Sequence, residues 1–231
     1  MLRSSLLVLS CVFCLLPNVS FADEADDARF LAAQDAFRVK NKNKLAQAGS
    51  INNPALAPYE FFWKLSLNLN NESLEAIKSF LDDHPNTYLA EKLRSDWLRV
   101  LGQKGNWRVF DAEYALLPQP EQDLQCFNLQ SKQSKQANND QTITNEINAL
   151  WLELPDAPVA CLAVFDLIST WKVDDVWARI HRQFEANKTN AAKQTLRQLK
   201  GQAPDLATFN ATIDKPLPYL MKQNLNNKKT L

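Results

Sequence analysis

LRSDWLRVLGQKGNWRVFDAEY, residues Leu93 to Tyr114, decides the fold class. Leu93, Trp97, Leu98 and Leu101 recur at helical spacing, Gly102 and Gly105 mark a turn, and Trp107, Phe110 and Tyr114 recur at helical spacing again. The stretch reads as a helical hairpin. Two antiparallel helices joined by a few residues cannot bury both apolar stripes against each other, so further hairpins have to cover them. The expected architecture is all-α: stacked antiparallel hairpins forming a curved α-superhelix, or solenoid.

Composition agrees. Apolar residues make up 45% of the 231, enough for a substantial core, and four glycines against 11 prolines favour helices with sharp stops over a sandwich or barrel rich in tight turns. The N-terminus stands apart. Arg3 carries its one charge, Leu6 to Leu16 are an apolar run too short for the roughly 20 residues a bilayer demands, and Ser20-Phe21-Ala22 ends in small residues. Residues 1–22 read as a signal peptide cleaved after Ala22. Val8-Leu9-Ser10-Cys11 offers a looser alternative, a lipoprotein-type box, but cleavage there would leave most of the apolar run in place.

Loss of the leader leaves acidic and basic residues nearly balanced, which excludes the electrostatic footprint of a nucleic-acid binder. No integral membrane segment is expected after cleavage. Cys11 and Cys14 leave with the leader, so Cys126 and Cys161 are the mature complement in a compartment that favours oxidation. They permit one disulfide; the alternative is two buried free thiols.

Along the chain, the acidic start after Asp23 suits the positive end of a first helix running to about Val39. Gly49 to Ala57 reads as a loop, with Pro58 opening a helix through YEFFWKLSLNL. Asn71 or Ser73 caps a helix that His84-Pro85 stops, and the hairpin follows, with Asn106 capping its second arm. Further helices are expected from Glu121, through Ile143 to Leu154, and from Pro158. Another follows behind Asp174 or Asp175 and one behind Thr189, with a short helix after Pro204. The helical domain spans 23–213 and residues 214–231 form a polar tail. Trp97-Leu98 and Trp151-Leu152 precede Phe110 and Phe165 by similar intervals, a faint echo that fits either degenerate repeats or two independent amphipathic hairpins.

No chemistry-bearing constellation stands out, and no catalytic, cofactor-binding or metal-ligating residue is expected. Glu72-Ser73 resembles a glycosidase acid in a turn, but its place at a helix start makes Glu72 a dipole partner first. His84 reads as a loop residue, and His181 as solvated beside Arg179 and Arg182 on the polar side of a Trp177/Ile180/Phe184 stripe. Trp63, Trp97, Trp107, Trp151, Trp171 and Trp177 would stack on sugar rings if they lined a concave face; their helical register favours core packing for most.

Several segments together resemble one family: LDDHPN, Leu89-Ala90, Leu93-Arg94, Trp97-Leu98, Leu101-Gly102, Gly105-Asn106-Trp107 and Phe110, then Leu124-Gln125-Cys126, Ala149-Leu150-Trp151-Leu152 and Pro158 to Cys161 with Val164-Phe165. From about Arg29 to about Ile213 the chain is similar to the N-terminal superhelical U-shaped domain of the soluble lytic murein transglycosylases. The resemblance implies a stack of helices in the periplasm of a Gram-negative bacterium, and an activity that cleaves peptidoglycan glycan strands to 1,6-anhydro products. The family's catalytic glutamate belongs to a separate lysozyme-like domain with no counterpart in this sequence. No Gly-Leu-Met-Gln stretch follows Glu72-Ser73, so the catalytic role is not carried onto Glu72, and Leu162 stands after Cys161 where the family would have an aspartate. The expectation is a non-catalytic periplasmic module that engages peptidoglycan glycan strands or a cell-wall enzyme. The alternatives are a helical-repeat scaffold for periplasmic proteins, or a truncated remnant of a full transglycosylase.

Overall fold

The computed structural model describes residues 24–135, 141–168, 171–199 and 201–222; the signal-peptide reading and the end of the tail lie outside them. The described residues are all-helical, with no strand among them. In chain order they form α1 (Glu24–Arg38), α2 (Lys42–Gln47), α3 (Ala57–Asn68), α4 (Leu74–Asp83), α5 (Tyr88–Gln103), α6 (Trp107–Tyr114) and α7 (Gln122–Lys135). There follow α8 (Gln141–Glu153), α9 (Val159–Phe165), α10 (Val173–Glu185), α11 (Thr189–Thr195) with a 3₁₀ turn over Leu196–Leu199, α12 (Leu206–Asp214) and α13 (Pro216–Lys222).

Three of the connections are the same object. Lys40, Gly105 and Asn187 all take positive φ, at 53°, 65° and 58°. At each, the next residue's N–H reaches back to a carbonyl five residues earlier: Asn41 to Ala36 at 2.9 Å, Asn106 to Leu101 at 2.9 Å and Lys188 to Gln183 at 2.7 Å. This is the Schellman closure, which satisfies the carbonyls a helix end leaves open. The following helix begins one residue later in all three cases, at Lys42, Trp107 and Thr189. Gly105 is therefore the turn of the opening hairpin. Gly102 is not part of it: it sits inside α5 and is buried.

The helices fall into two compact units, residues 1–93 and 94–231, with the division inside α5. In the first unit α1 packs on α2 and α3, and α3 on α4. Trp63 is its hub, 5.2 Å from the Phe30 ring and stacked on Phe37 at 5.9 Å. Helix α2 has no counterpart in the sequence reading, because Leu45 is its single buried apolar residue and shows no period. Asn41 caps it by accepting from Lys44 N–H at 3.0 Å. The loop before α3 carries backbone amides that no helix satisfies, and two carboxylates supply acceptors. Asp26 accepts from Asn52 and Asn53 at 2.9 and 2.7 Å, and Glu60 accepts from Ile51 at 2.8 Å. Burial pushes the Asp26 carboxyl up, but those amides and the Arg29 guanidinium at 2.8 Å outweigh it and hold the group below its usual range.

In the second unit the arms of the opening hairpin are tied by Arg94 and Glu113, 3.2 Å apart and mostly withdrawn from water. Arg99 holds α5 to the start of α7 through Asp123 at 2.6 Å and Glu121 at 2.7 Å. Helix α7 packs on α6, α8 and α9. Cys126 on α7 and Cys161 on α9 are bonded, with sulfurs 1.97 Å and Cα atoms 4.9 Å apart. Of the two expected options for these residues, the structure takes the disulfide.

Of the two expected caps of α4, Ser73 takes the position, accepting from Ala76 N–H at 3.1 Å. Three other helix starts differ from expectation. Lys172 occupies the cap of α10, placing Asp174 and Asp175 inside its first turn as dipole partners. Lys188 precedes α11, so Thr189 is its first residue, and Asn106 stands at the cap of α6 without a side-chain bond. In these last two the preceding Schellman closure, not a side chain, fixes the entry angle. The segment read as a polar tail from 214 is helical over α13, where Pro216 takes the first helical position without giving up a needed N–H.

Two expectations follow from the packing. A Cβ on Gly102 would stand 2.5 to 2.9 Å from three atoms of the Phe127 ring on α7. Gly102→Ala is expected to destabilise the protein by about 1–3 kcal/mol in urea melts, because the ring and not a flexible chain end must give way. Reduction of Cys126–Cys161 is expected to add about 2 Da and to lower the melting temperature. A closed loop of about 36 residues corresponds to roughly 3–4 kcal/mol of chain entropy. Mass spectrometry and thermal melts with and without reductant check it.

Candidate functional site

The second unit contains a cleft of about 320 Å³ whose walls come from α8, α9, α10, α11 and the segments between them. Its apolar wall begins at the end of α8. Trp151 is stacked on Trp171 at 4.0 Å with planes 13° apart, and Phe165 meets Trp171 edge-on at 6.4 Å. The polar wall carries amides and a hydroxyl: Gln183, Gln194, Thr195 and Gln198.

The floor is a charge. Arg179 is 5% exposed, its guanidinium 4.6 Å above the Trp151 ring and 5.8 Å from that of Phe165. The sequence explains why an arginine sits there. The Trp151 carbonyl should receive the N–H four residues on, but that residue is Pro155, which has none. Arg179 Nη1 donates to this carbonyl instead. Its neighbours do the same for two further carbonyls at this end: Arg182 Nη1 donates to Leu152 O at 2.7 Å and Gln183 Nε2 to Pro155 O at 3.0 Å. Cations at the negative end of α8 are also favoured by its dipole.

The satisfaction is incomplete. Arg179 Nε and Gln183 Oε1 are both buried and have no hydrogen-bond partner. No carboxylate among the described residues lies within ion-pairing distance of Arg179; Asp156, at the rim, is paired with Lys188 at 3.0 Å. Burial depresses the Arg179 pKa to about 10, against a smaller opposing pull from Asp156, and the group stays charged at neutral pH. The arrangement is a fixed cation with an unpaired donor and an unpaired acceptor, set against aromatic faces. Its chemistry suits a polar ligand, and its lining residues show no nucleophile-base pair.

Sequence reading placed Arg179 and Arg182 on the polar side of α10; Arg182 is exposed, but for Arg179 the reading is corrected here. The buried stripe is Val176, Arg179, Ile180 and Gln183, while Trp177 and Phe184 are only half-buried. The signal lay elsewhere, in the proline four residues after Trp151. Trp63, Trp97, Trp151 and Trp171 are core residues and Trp107 is half-buried. His181 is exposed, as expected, and His84 ends α4 with its ring 4.6 Å from Phe80. Glu72 precedes the α4 cap, outside the first turn, and accepts from Asn68 Nδ2 at 2.5 Å. Among the described residues no group of three or more His, Cys, Asp or Glu is placed to hold a metal ion, and no helix is long and apolar enough to cross a membrane.

Neither a family model, nor a curated protein, nor a solved structure matches the chain.

Arg179→Met strands the Trp151 carbonyl and is expected to cost about 1–3 kcal/mol. Arg182→Met, whose bond to Leu152 O lies in water, is expected to cost under about 0.5 kcal/mol. Paired urea melts give the order, and equal losses would remove the capping role of Arg179.

Proposed function

We propose that the chain is an exported, non-catalytic module that holds peptidoglycan in the periplasm, its hairpins stacked in a curved superhelix of the kind found in lytic murein transglycosylases. The tryptophan-walled, amide-lined cleft over Arg179 is the observation that carries this reading, because aromatic faces beside amides suit the mixed apolar and hydroxyl character of a glycan or its attached peptide. The threefold use of one turn geometry at Lys40, Gly105 and Asn187 supports the superhelical part, since a repeated connection is what stacked hairpins require.

The cleft's chemistry supports the non-catalytic part of the reading. Glycan cleavage needs a carboxyl kept protonated by an apolar setting beside the scissile oxygen. The two carboxylates at the cleft, Asp156 and Asp166, are both exposed, and Asp156 is ion-paired. A protein partner is the second reading, favoured by α13, whose Leu217, Leu220 and Met221 face water.

Sedimentation with purified murein sacculi tests the proposal. Retention that survives moderate salt is the expected result. Absence of retention would favour the protein partner, and release of anhydromuropeptides by the purified chain alone would overturn the non-catalytic reading.

A further inference from the structure

We infer that the cleft over Arg179 binds the free carboxyl terminus of a short peptide, with Arg179 taking the carboxylate and Gln183 the last peptide N–H. The inference rests on the peptidoglycan reading for the source of that peptide, the stem attached to the glycan, but its chemistry is argued from the cleft alone.

A guanidinium binds a carboxylate best through two parallel bonds along one edge. The edge that Arg179 commits to the protein is Nη1, which serves the Trp151 carbonyl. The opposite edge, Nε with Nη2, makes no hydrogen bond to a described residue, and Nε is buried and partnerless. A charge so placed, with no described carboxylate in ion-pairing reach, is complementary to an anion. Sulfate or phosphate would answer the charge but not Gln183.

Gln183 sets the second condition. It lies one turn beyond Arg179 on α10, and its Nε2 is held by Pro155 O at 3.0 Å, which fixes the amide with Oε1 as a partnerless acceptor. An acceptor beside a cation selects a ligand that carries an N–H donor close to its negative charge. A peptide's C-terminal residue has that pairing, with its carboxylate and its own amide N–H separated by one carbon. An uncharged sugar offers donors and acceptors but no charge. Ala157, Leu162 and Ala191 also line the cleft and leave room for a small side chain next to the Trp171 face. Nε and Oε1 are closed to water, so binding requires the side chains over them to give way. Leaving such groups unpaired is costly, which gives the bound state its advantage.

Titration calorimetry with N-acetyl-dialanine and with its C-terminal methylamide tests the carboxylate on the wild-type protein. The free acid is expected to bind at least about tenfold more tightly than the methylamide, and Arg179→Lys, which keeps the charge but loses the fork, is expected to weaken it by a similar factor. Equal binding of acid and methylamide, or no binding of either, would overturn the inference. Sedimentation with intact sacculi in the presence and absence of excess N-acetyl-dialanine separates it from the broader proposal. Retention that the added free acid abolishes supports both. Retention that it leaves unchanged overturns the peptide site and leaves the wall reading standing. Binding of the free acid without retention on sacculi supports the carboxylate site and sinks the wall reading.

Discussion

A single missing N–H organises much of the second unit. Pro155 cannot donate to the Trp151 carbonyl, and a buried acceptor without a donor would cost on the order of 1–3 kcal/mol. Helix α10 answers with a guanidinium, and a long charged side chain can reach that carbonyl only if α10 lies across the end of α8. With Arg179 in place, Arg182 and Gln183 fall next to the Leu152 and Pro155 carbonyls, since residues three and four apart share a helix face. The indole of Trp151 then covers the guanidinium and is itself covered by Trp171. One proline thus sets the crossing of two helices, the depth of a charge and the stacking of two rings.

The first unit solves the converse problem with the opposite charge. Its loop before α3 has backbone N–H groups to satisfy, and the donors at Ile51, Asn52 and Asn53 are met by the carboxylates of Glu60 and Asp26. In both units an irregular backbone end is completed by a charged side chain projecting from a neighbouring helix. A chain with four glycines and 11 prolines has many such ends and few tight turns to absorb them. The difference is in completeness. Asp26 is paired by Arg29 as well as by two amides, whereas Arg179 has its charge unanswered and one edge unused.

Helices were legible where apolar period and proline agreed, as in α4, α8 and α9, because burial on one face and a stop at one residue are both local properties. What a neighbour decides was not. Trp97-Leu98 and Trp151-Leu152 look equivalent in sequence, yet Trp97 lies two turns before the end of α5 and Trp151 lies in the last turn of α8, so the echo does not mark equivalent positions. Gly102 reads as a turn residue but is the place where Phe127 presses against α5. Thr189 and Asp174 have the chemistry of caps, but the Schellman closure at Asn187 and the extended Lys172 had already set those helix starts. Arg179 is the sharpest case: its periodic position is apolar, its residue type is not, and only the acceptor on α8 decides between them.

That conflict between position and type is also what the proposed site rests on. A sequence under no demand but stability would fill the 179 position with an apolar residue and close the end of α8 with something other than a proline, since an unpaired buried charge is weaker than a well-packed side chain of similar volume. The chain carries both the proline and the arginine, and beside them a glutamine whose acceptor is left open. Capping, the dipole of α8 and the aromatic faces account for Nη1 and the charge of Arg179 and for Nε2 of Gln183, but not for Arg179 Nε or Gln183 Oε1. Those two unpaired atoms, one donor and one acceptor four residues apart on α10, are what the proposed ligand would have to answer.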